Sequence, residues 1–212
     1  TSILQKEGIR VMHVVSSSKL ALKCQDAGVD AVIAEGFEAG GHNGREETTT
    51  MCLIPAVQKV LSIPLIAAGG IATGSAMMAA MVLGAEGVQV GSRFVCTPEA
   101  SSHEAFKQEI VNANEGDTEL VLKQLTPVRL LKNSFYTKVK EAENNAASKE
   151  ELNELLGKGR AKLGMFEGNL LDGELEIGQV SAIIDEIKPA KEVLNDIWNE
   201  FIEVYNTLRK AI

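Results

Sequence analysis

Apolar and polar positions alternate between two periods over the first part of the chain, and a strand-then-helix unit recurs four times. Arg10-Val11-Met12-His13-Val14-Val15 predicts a strand, and Ser18 to Ala27 predicts a helix closed at Gly28. Asp30 to Ala34 predicts the second strand, followed after a glycine-rich run by helical spacing over Met51 to Leu61. Pro64-Leu65-Ile66-Ala67-Ala68 is the third strand and stops at Gly69-Gly70. Its helix runs from Ser75 to Leu83 and is closed by Gly84. Gly87-Val88-Gln89-Val90 is the fourth strand, entering Gly91-Ser92-Arg93. Such short, apolar, β-branched strands suit a parallel sheet covered on both faces.

Four βα units predict either a (β/α)8 barrel or a doubly wound open sheet. A barrel needs eight strands, and no further parallel strand is legible after Val90. The chain therefore reads as the C-terminal half of a TIM (β/α)8 barrel, with a first half of about 100 residues lying elsewhere. A bare half barrel would leave two open sheet edges, and the doubly wound sheet remains the alternative. Residues 1–117 read as the half barrel, 118–175 as an inserted helical lid, and 176–212 as C-terminal helices packing back on the barrel.

Past Arg93 the pattern is less regular. Ser101 to Ala113 predicts a helix, and Thr118 to Lys140 resists assignment. Ser148 to Leu163 predicts a helix whose Ser148 and Glu151 fit a capping box. Gly164 to Gly178 is glycine-rich and acidic and reads as a loop. Ile177 to Ile187 and Ala190 to Lys210 read as two final helices. The last is amphipathic through Val193, Ile197, Trp198, Phe201 and Val204, a stripe suited to the barrel or to a partner subunit in a homodimer.

Composition narrows the function. A formal net charge of -8 and 4% aromatic residues argue against a nucleic-acid surface or a base-stacking platform. No apolar run approaches a membrane span. The three cysteines, Cys24, Cys52 and Cys96, have no metal-ligand spacing and cannot all pair, which favours a reducing, cytoplasmic setting. Thr1-Ser2-Ile3-Leu4 lacks an initiator methionine and does not resemble a signal peptide, and the strand count favours a piece of a longer protein.

The chemistry concentrates at strand ends. Ala34-Glu35-Gly36-Phe37-Glu38-Ala39-Gly40-Gly41-His42-Asn43-Gly44 crowds glycines around one histidine at the end of the second strand. Glycines let backbone amides approach a ligand, and imidazole is the side chain suited to proton transfer near neutral pH. In a barrel the third and fourth strands would be the seventh and eighth, whose loops commonly build a phosphate site with a helix N-terminus. Gly69, Gly70, Gly91 and Ser92 would then cradle a cofactor phosphate. The plain alternative is that each glycine only closes a tight turn.

These residues carry a family resemblance. The His42 loop, Thr48-Thr49-Thr50-Met51, Ile66-Ala67-Ala68-Gly69-Gly70-Ile71-Ala72 and Leu83-Gly84-Ala85-Glu86-Gly87-Val88-Gln89-Val90-Gly91-Ser92-Arg93-Phe94 resemble the nitronate monooxygenase family, which includes the enoyl-acyl-carrier-protein reductase II enzymes. The resemblance implies an FMN-dependent TIM barrel whose first strands precede Thr1. It assigns FMN contacts to Gly40, Gly70, Gln89, Gly91 and Ser92, with backbone help from Gly41 and Gly69. Glu35 stands where the reductase branch carries glutamate, which leans the reading toward NAD(P)H-dependent enoyl reduction, with nitronate oxidation by O2 as the alternative. His42 matches the catalytic histidine, taking or holding a proton beside a nitro group, or orienting substrate in a reductase. The implied substrate is a small molecule or acyl thioester, with acyl carrier protein as a candidate partner. A non-catalytic phosphate-binding half barrel is the second alternative. A nucleotide-reductase-type barrel is less favoured, because no cysteine sits in a mobile glycine loop.

Other residues read more plainly. His13 lies in an apolar strand and reads as a core or near-core histidine, and His103 at a helix start reads as exposed. Glu38 and His42 are a weak metal pair, and no metal site is expected. Glu46-Glu47 reads as a solvated patch, and Met77, Met78 and Met81 as packing. Arg93 suits either a cofactor phosphate or a structural ion pair.

Overall fold

Each apolar strand run is followed by a helix, and the chain folds accordingly. The structure, a computed structural model, describes residues 1–211 and the side chains of 1–210. In chain order the first elements are α1 (Ser2–Lys6), β1 (Met12–Val15), α2 (Ser18–Asp26), β2 (Ala31–Glu35), β3 (Gly41–His42), α3 (Thr50–Gln58), β4 (Leu65–Ala68), α4 (Gly74–Val82), β5 (Gly87–Gln89) and α5 (Ser92–Val95). Then follow α6 (Glu104–Val111), β6 (Thr118–Val121), β7 (Val128–Leu131), α7 (Ser134–Asn144), α8 (Lys149–Leu156) and α9 (Ala190–Ala211). The chain divides into two compact units, one of residues 1–38, 46–90 and 194 onward, the other of 39–45 and 91–193.

The first unit is built on a four-stranded parallel sheet of order β1-β2-β4-β5. This order has no reversal, the switch that a doubly wound sheet uses. Registers place Val15, Val32, Ala34, Leu65, Ala67 and Val88 on one face. These residues pack with Ala21 and Cys24 of α2, Leu53, Ile54 and Val57 of α3 and Ala80 of α4. The opposite face carries Met12 and Val14, which are 54% and 41% exposed. It also carries Ile33, Ile66, Glu35, Ala68 and Gln89. The Ser17 and Thr73 hydroxyls accept from the N–H groups of Leu20 and Ala76 and start α2 and α4. Within this unit α9 passes so close to α4 that a Cβ on Gly74 would overlap the Phe201 amide nitrogen.

The second unit holds a three-stranded antiparallel sheet of order β3-β7-β6. One core gathers Phe106, Ile110, Leu131, Leu175, Ile177 and Ile184, and a second gathers Leu122, Val128, Leu130, Phe135, Val139 and Leu152. The capping box at Ser148 and Glu151 forms as expected. Three stretches depart from the sequence reading. Thr118 to Lys140 folds as the β6–β7 pair and most of α7. Ile177 to Ile187 is extended chain around a single 3-10 segment, Gln179–Ile183, instead of an α-helix. Gly164 to Gly178 is ordered by a π-helical turn at Lys162–Phe166 and by a bridge from Glu176 to Leu130.

Candidate functional site

In the first unit, the carboxyl ends of the parallel strands bring four expected residues together. Register aligns Glu35, Ala68 and Gln89 in one cross-strand row on the face that α2, α3 and α4 leave uncovered. Burial pushes the Glu35 carboxyl above its ordinary range. Directly after this row the chain turns at Gly36 and at Gly69-Gly70. Both Gly69 and Gly70 are left-handed, at φ 87° and 71°. A Cβ on Gly69 would lie 2.6 Å from the Gly36 carbonyl oxygen, so side chains are excluded where the two turns meet. Among the described residues, the Gly69 and Gly70 N–H groups have no hydrogen-bond acceptor.

Thr50 locks this corner. Its N–H donates to both Glu38 carboxylate oxygens, at 3.1 and 3.0 Å, and its hydroxyl lies 2.8 Å from the Gly69 carbonyl oxygen. Glu38 therefore caps the start of α3. No group of three or more His, Cys, Asp or Glu among the described residues could hold a metal. The N-terminus of α4 is also engaged, because Glu200 accepts from the Gly74 and Ser75 N–H groups at 2.9 and 3.1 Å. A phosphate near the third strand would thus meet turn amides and not that helix end.

In the second unit, Ile177–Gly178 links two expected residues. A Cβ on Gly40 would overlap the Ile177 carbonyl carbon, and the Gly178 N–H donates to Ser92 Oγ at 3.0 Å. Gly91 is exposed and has open space where a Cβ would stand. Arg93 donates to the Glu186 carbonyl at 3.0 Å and lies 3.9 Å from its carboxylate, so it forms a structural pair.

His42 is exposed and sits in a strand where the sequence reads a loop. The free edge of β7 supplies the ladder. His42 pairs with Val128, Gly41 with Arg129, and the Asn43 N–H donates to the Pro127 carbonyl at 2.8 Å. Gly41 bends this strand at φ 72°, beside the Glu176 carboxylate. His42 lines a cavity of about 210 Å³ with Leu122, Val128, Leu156, Arg160 and Glu174.

Sequence reasoning missed Glu174 and Glu176. Glu174 is 8% exposed, and its carboxyl is pushed up to about 7 by burial and then by Glu176, against the pull of Arg160. Burial also raises Glu176, while His42 favours its ionised form. The signal lay in the alternation Glu174-Leu175-Glu176-Ile177, a strand period hidden in a run read as a loop. His13 is exposed, because it lies on the edge strand β1, and its Nδ1 lies 2.7 Å from the Val14 carbonyl. His103 is exposed and also caps α6 through Nδ1.

The first unit thus offers a parallel sheet with glycine turns at its strand ends, and the second a histidine strand beside buried carboxyls. The nitronate monooxygenase family model matches residues 2–200, and the chain belongs to that family. A probable nitronate monooxygenase of Staphylococcus saprophyticus is 32% identical over 91% of this chain and 59% of its own. The chain thus spans about three fifths of the length of the curated relatives it matches. Among solved structures, FabK from Thermotoga maritima superposes with a TM-score of 0.92 at 43% identity, covering 99% of this chain and 66% of that one. A nitroalkane oxidase from Streptomyces ansochromogenes gives 0.80 at 27% identity, covering 98% and 61%. No helix among the described residues is long and apolar enough to cross a membrane.

Proposed function

We propose that this chain provides part of an FMN-dependent oxidoreductase whose reaction is the NAD(P)H-dependent reduction of an enoyl thioester. The observation that carries it is the Glu35–Ala68–Gln89 row ending at the Gly69-Gly70 turn, whose N–H groups have no acceptor among the described residues. Those amides fit an anion such as a cofactor phosphate, and the Glu35 and Gln89 side chains of the row fit a ring with hydrogen-bonding edges. The open space at Gly91 fits as well, since no neighbouring atom explains a glycine there. FMN, when bound, would carry electrons from NAD(P)H to the substrate.

The chain's own residues would then divide the work. Gly69 and Gly70 would donate to phosphate, and Glu35 and Gln89 would offer their polar ends to the ring. Gly40, Gly41, Gly91 and Ser92 are assigned as flavin contacts by motif position. His42 would hold or deliver a proton at the reacting carbon. The sheet would be one arc of a (β/α)8 barrel. Its unreversed strand order and the exposure of Met12 and Val14 on the uncovered face support this.

The lean to enoyl reduction rests on Glu35 and on the 43% identity with FabK. Nitronate oxidation is the second reading, favoured by the curated relatives and by the nitroalkane oxidase. Anaerobic mixing of the whole, flavin-loaded protein with NADH and separately with an alkyl nitronate distinguishes them. Rapid bleaching by NADH supports the reductase. Bleaching by nitronate alone supports the oxygenase, and bleaching by neither returns the non-catalytic alternative.

A further inference from the structure

The segment 174–177 continues the edge on which His42 sits. Glu176 pairs with Leu130, and the Leu131 N–H donates to the Leu175 carbonyl at 2.8 Å. His42 pairs with Val128 on the same β7 edge. Cross-strand partners share a face, so Glu176 and His42 project to the side of Val128 and Leu130. Same-face neighbours on extended chain stand roughly 6.5–7 Å apart at the backbone, within reach of two long side chains. Leu175 and Ile177 point the other way, into the core with Phe106 and Ile110. Glu174 follows the same alternation and reaches the cavity that His42 lines.

We propose that Glu176 is the positioning residue for the His42 imidazole and that Glu174 sets the charge on Glu176. The assignment rests on His42 being the proton-handling residue of the reading above. No covalent step is involved. Glu176 disfavours ionisation of the buried Glu174, while His42 favours the ionised Glu176, so the negative charge is held on the side of the imidazole.

The surrounding charges allow it. Arg160 turns its guanidinium to the carbonyls of Leu155, Leu156 and Asp172 and stacks over Phe135, 4.6 Å from the ring centroid. It favours the ionised Glu174 without pairing with it in a salt bridge. Arg129 of β7 pairs with Gly41 and its guanidinium reaches Thr118. Lys132 lies 3.7 Å from Glu119, and Arg45 is held by the carbonyls of Lys123 and Leu125. His42 favours the ionised form of Glu176.

Carboxyl carbon NMR on the whole protein freed of flavin, with Glu174→Gln used for assignment, tests the coupling without any cofactor. The Glu174 resonance titrates near 7, and Glu176→Gln moves that midpoint down by removing the neighbouring like charge. His42→Asn moves the Glu176 midpoint up. In the whole flavin-loaded protein, Glu176→Gln lowers kcat about 10- to 100-fold with little change in KM, and Glu174→Gln removes the pH limb near 7. A Glu174 midpoint unmoved by Glu176→Gln, or a Glu176 midpoint unmoved by His42→Asn, overturns the proposal, as does a Glu176→Gln protein with unchanged kcat and pH profile. Coupled titration in a protein that binds no flavin would leave the electrostatic triad standing and remove the catalytic reading on which its role depends.

Discussion

Glu35 and Gln89 share one row across the parallel sheet, with only Ala68 between them. Glu35 enters this row at a cost, because burial disfavours its charged form and raises its pKa. The folded state therefore holds a proton more tightly than the unfolded chain. The associated stability is fully present below the unfolded value near 4.5 and is lost as pH rises through the raised folded one. Glu35→Gln removes the titration. Its Tm should exceed that of wild type at pH 8 and match it near pH 4, as thermal melts at the two pH values will show.

The Glu38 carboxylate caps α3 and is tied to the Gly69 carbonyl through Thr50. Glu38→Ala leaves the Thr50 amide without its partner. A lost cap costs about 1 kcal/mol, within a range of roughly 0.5–2. Urea unfolding should show a lower midpoint with an unchanged slope, and added divalent metal should change neither protein.

Gly69 and Gly91 are both glycines of the expected flavin site, yet the chain demands only the first. Gly69→Ala forces an alanine to φ 87° and sets its Cβ 2.6 Å from the Gly36 carbonyl oxygen. The strain is worth about 1–3 kcal/mol, read as a reduced unfolding free energy. Gly91→Ala meets open space at an ordinary φ of -104°, so its stability should stay within about 0.5 kcal/mol of wild type.

Much of this was legible from the chain. The parallel strands were, because β-branched runs ended by glycine leave few alternatives, as at Ala31-Val32-Ile33 and at Leu65 to Gly70. The glycine turns were too, since only glycine enters the left-handed region without strain. The antiparallel β6–β7 pair was not, because Glu119, Lys123 and Arg129 interrupt its apolar positions and Arg129 is buried despite its charge. Edge pairing at His42 was hidden for a different reason. Its partners Val128 and Arg129 lie far along the chain, and a two-residue strand has no period to detect. Glu174 and Glu176 escaped because glycine and acid in their surroundings mimic a solvated loop, while their burial is set by long-range packing.

FMN titration of the whole apoprotein, followed by flavin fluorescence, tests the central claim most directly. The account predicts saturable binding of one flavin per chain, and a Gly91→Val protein that folds like wild type but binds at least about tenfold more weakly. Absence of flavin binding by the wild type, or equal affinity in the two proteins, would contradict it.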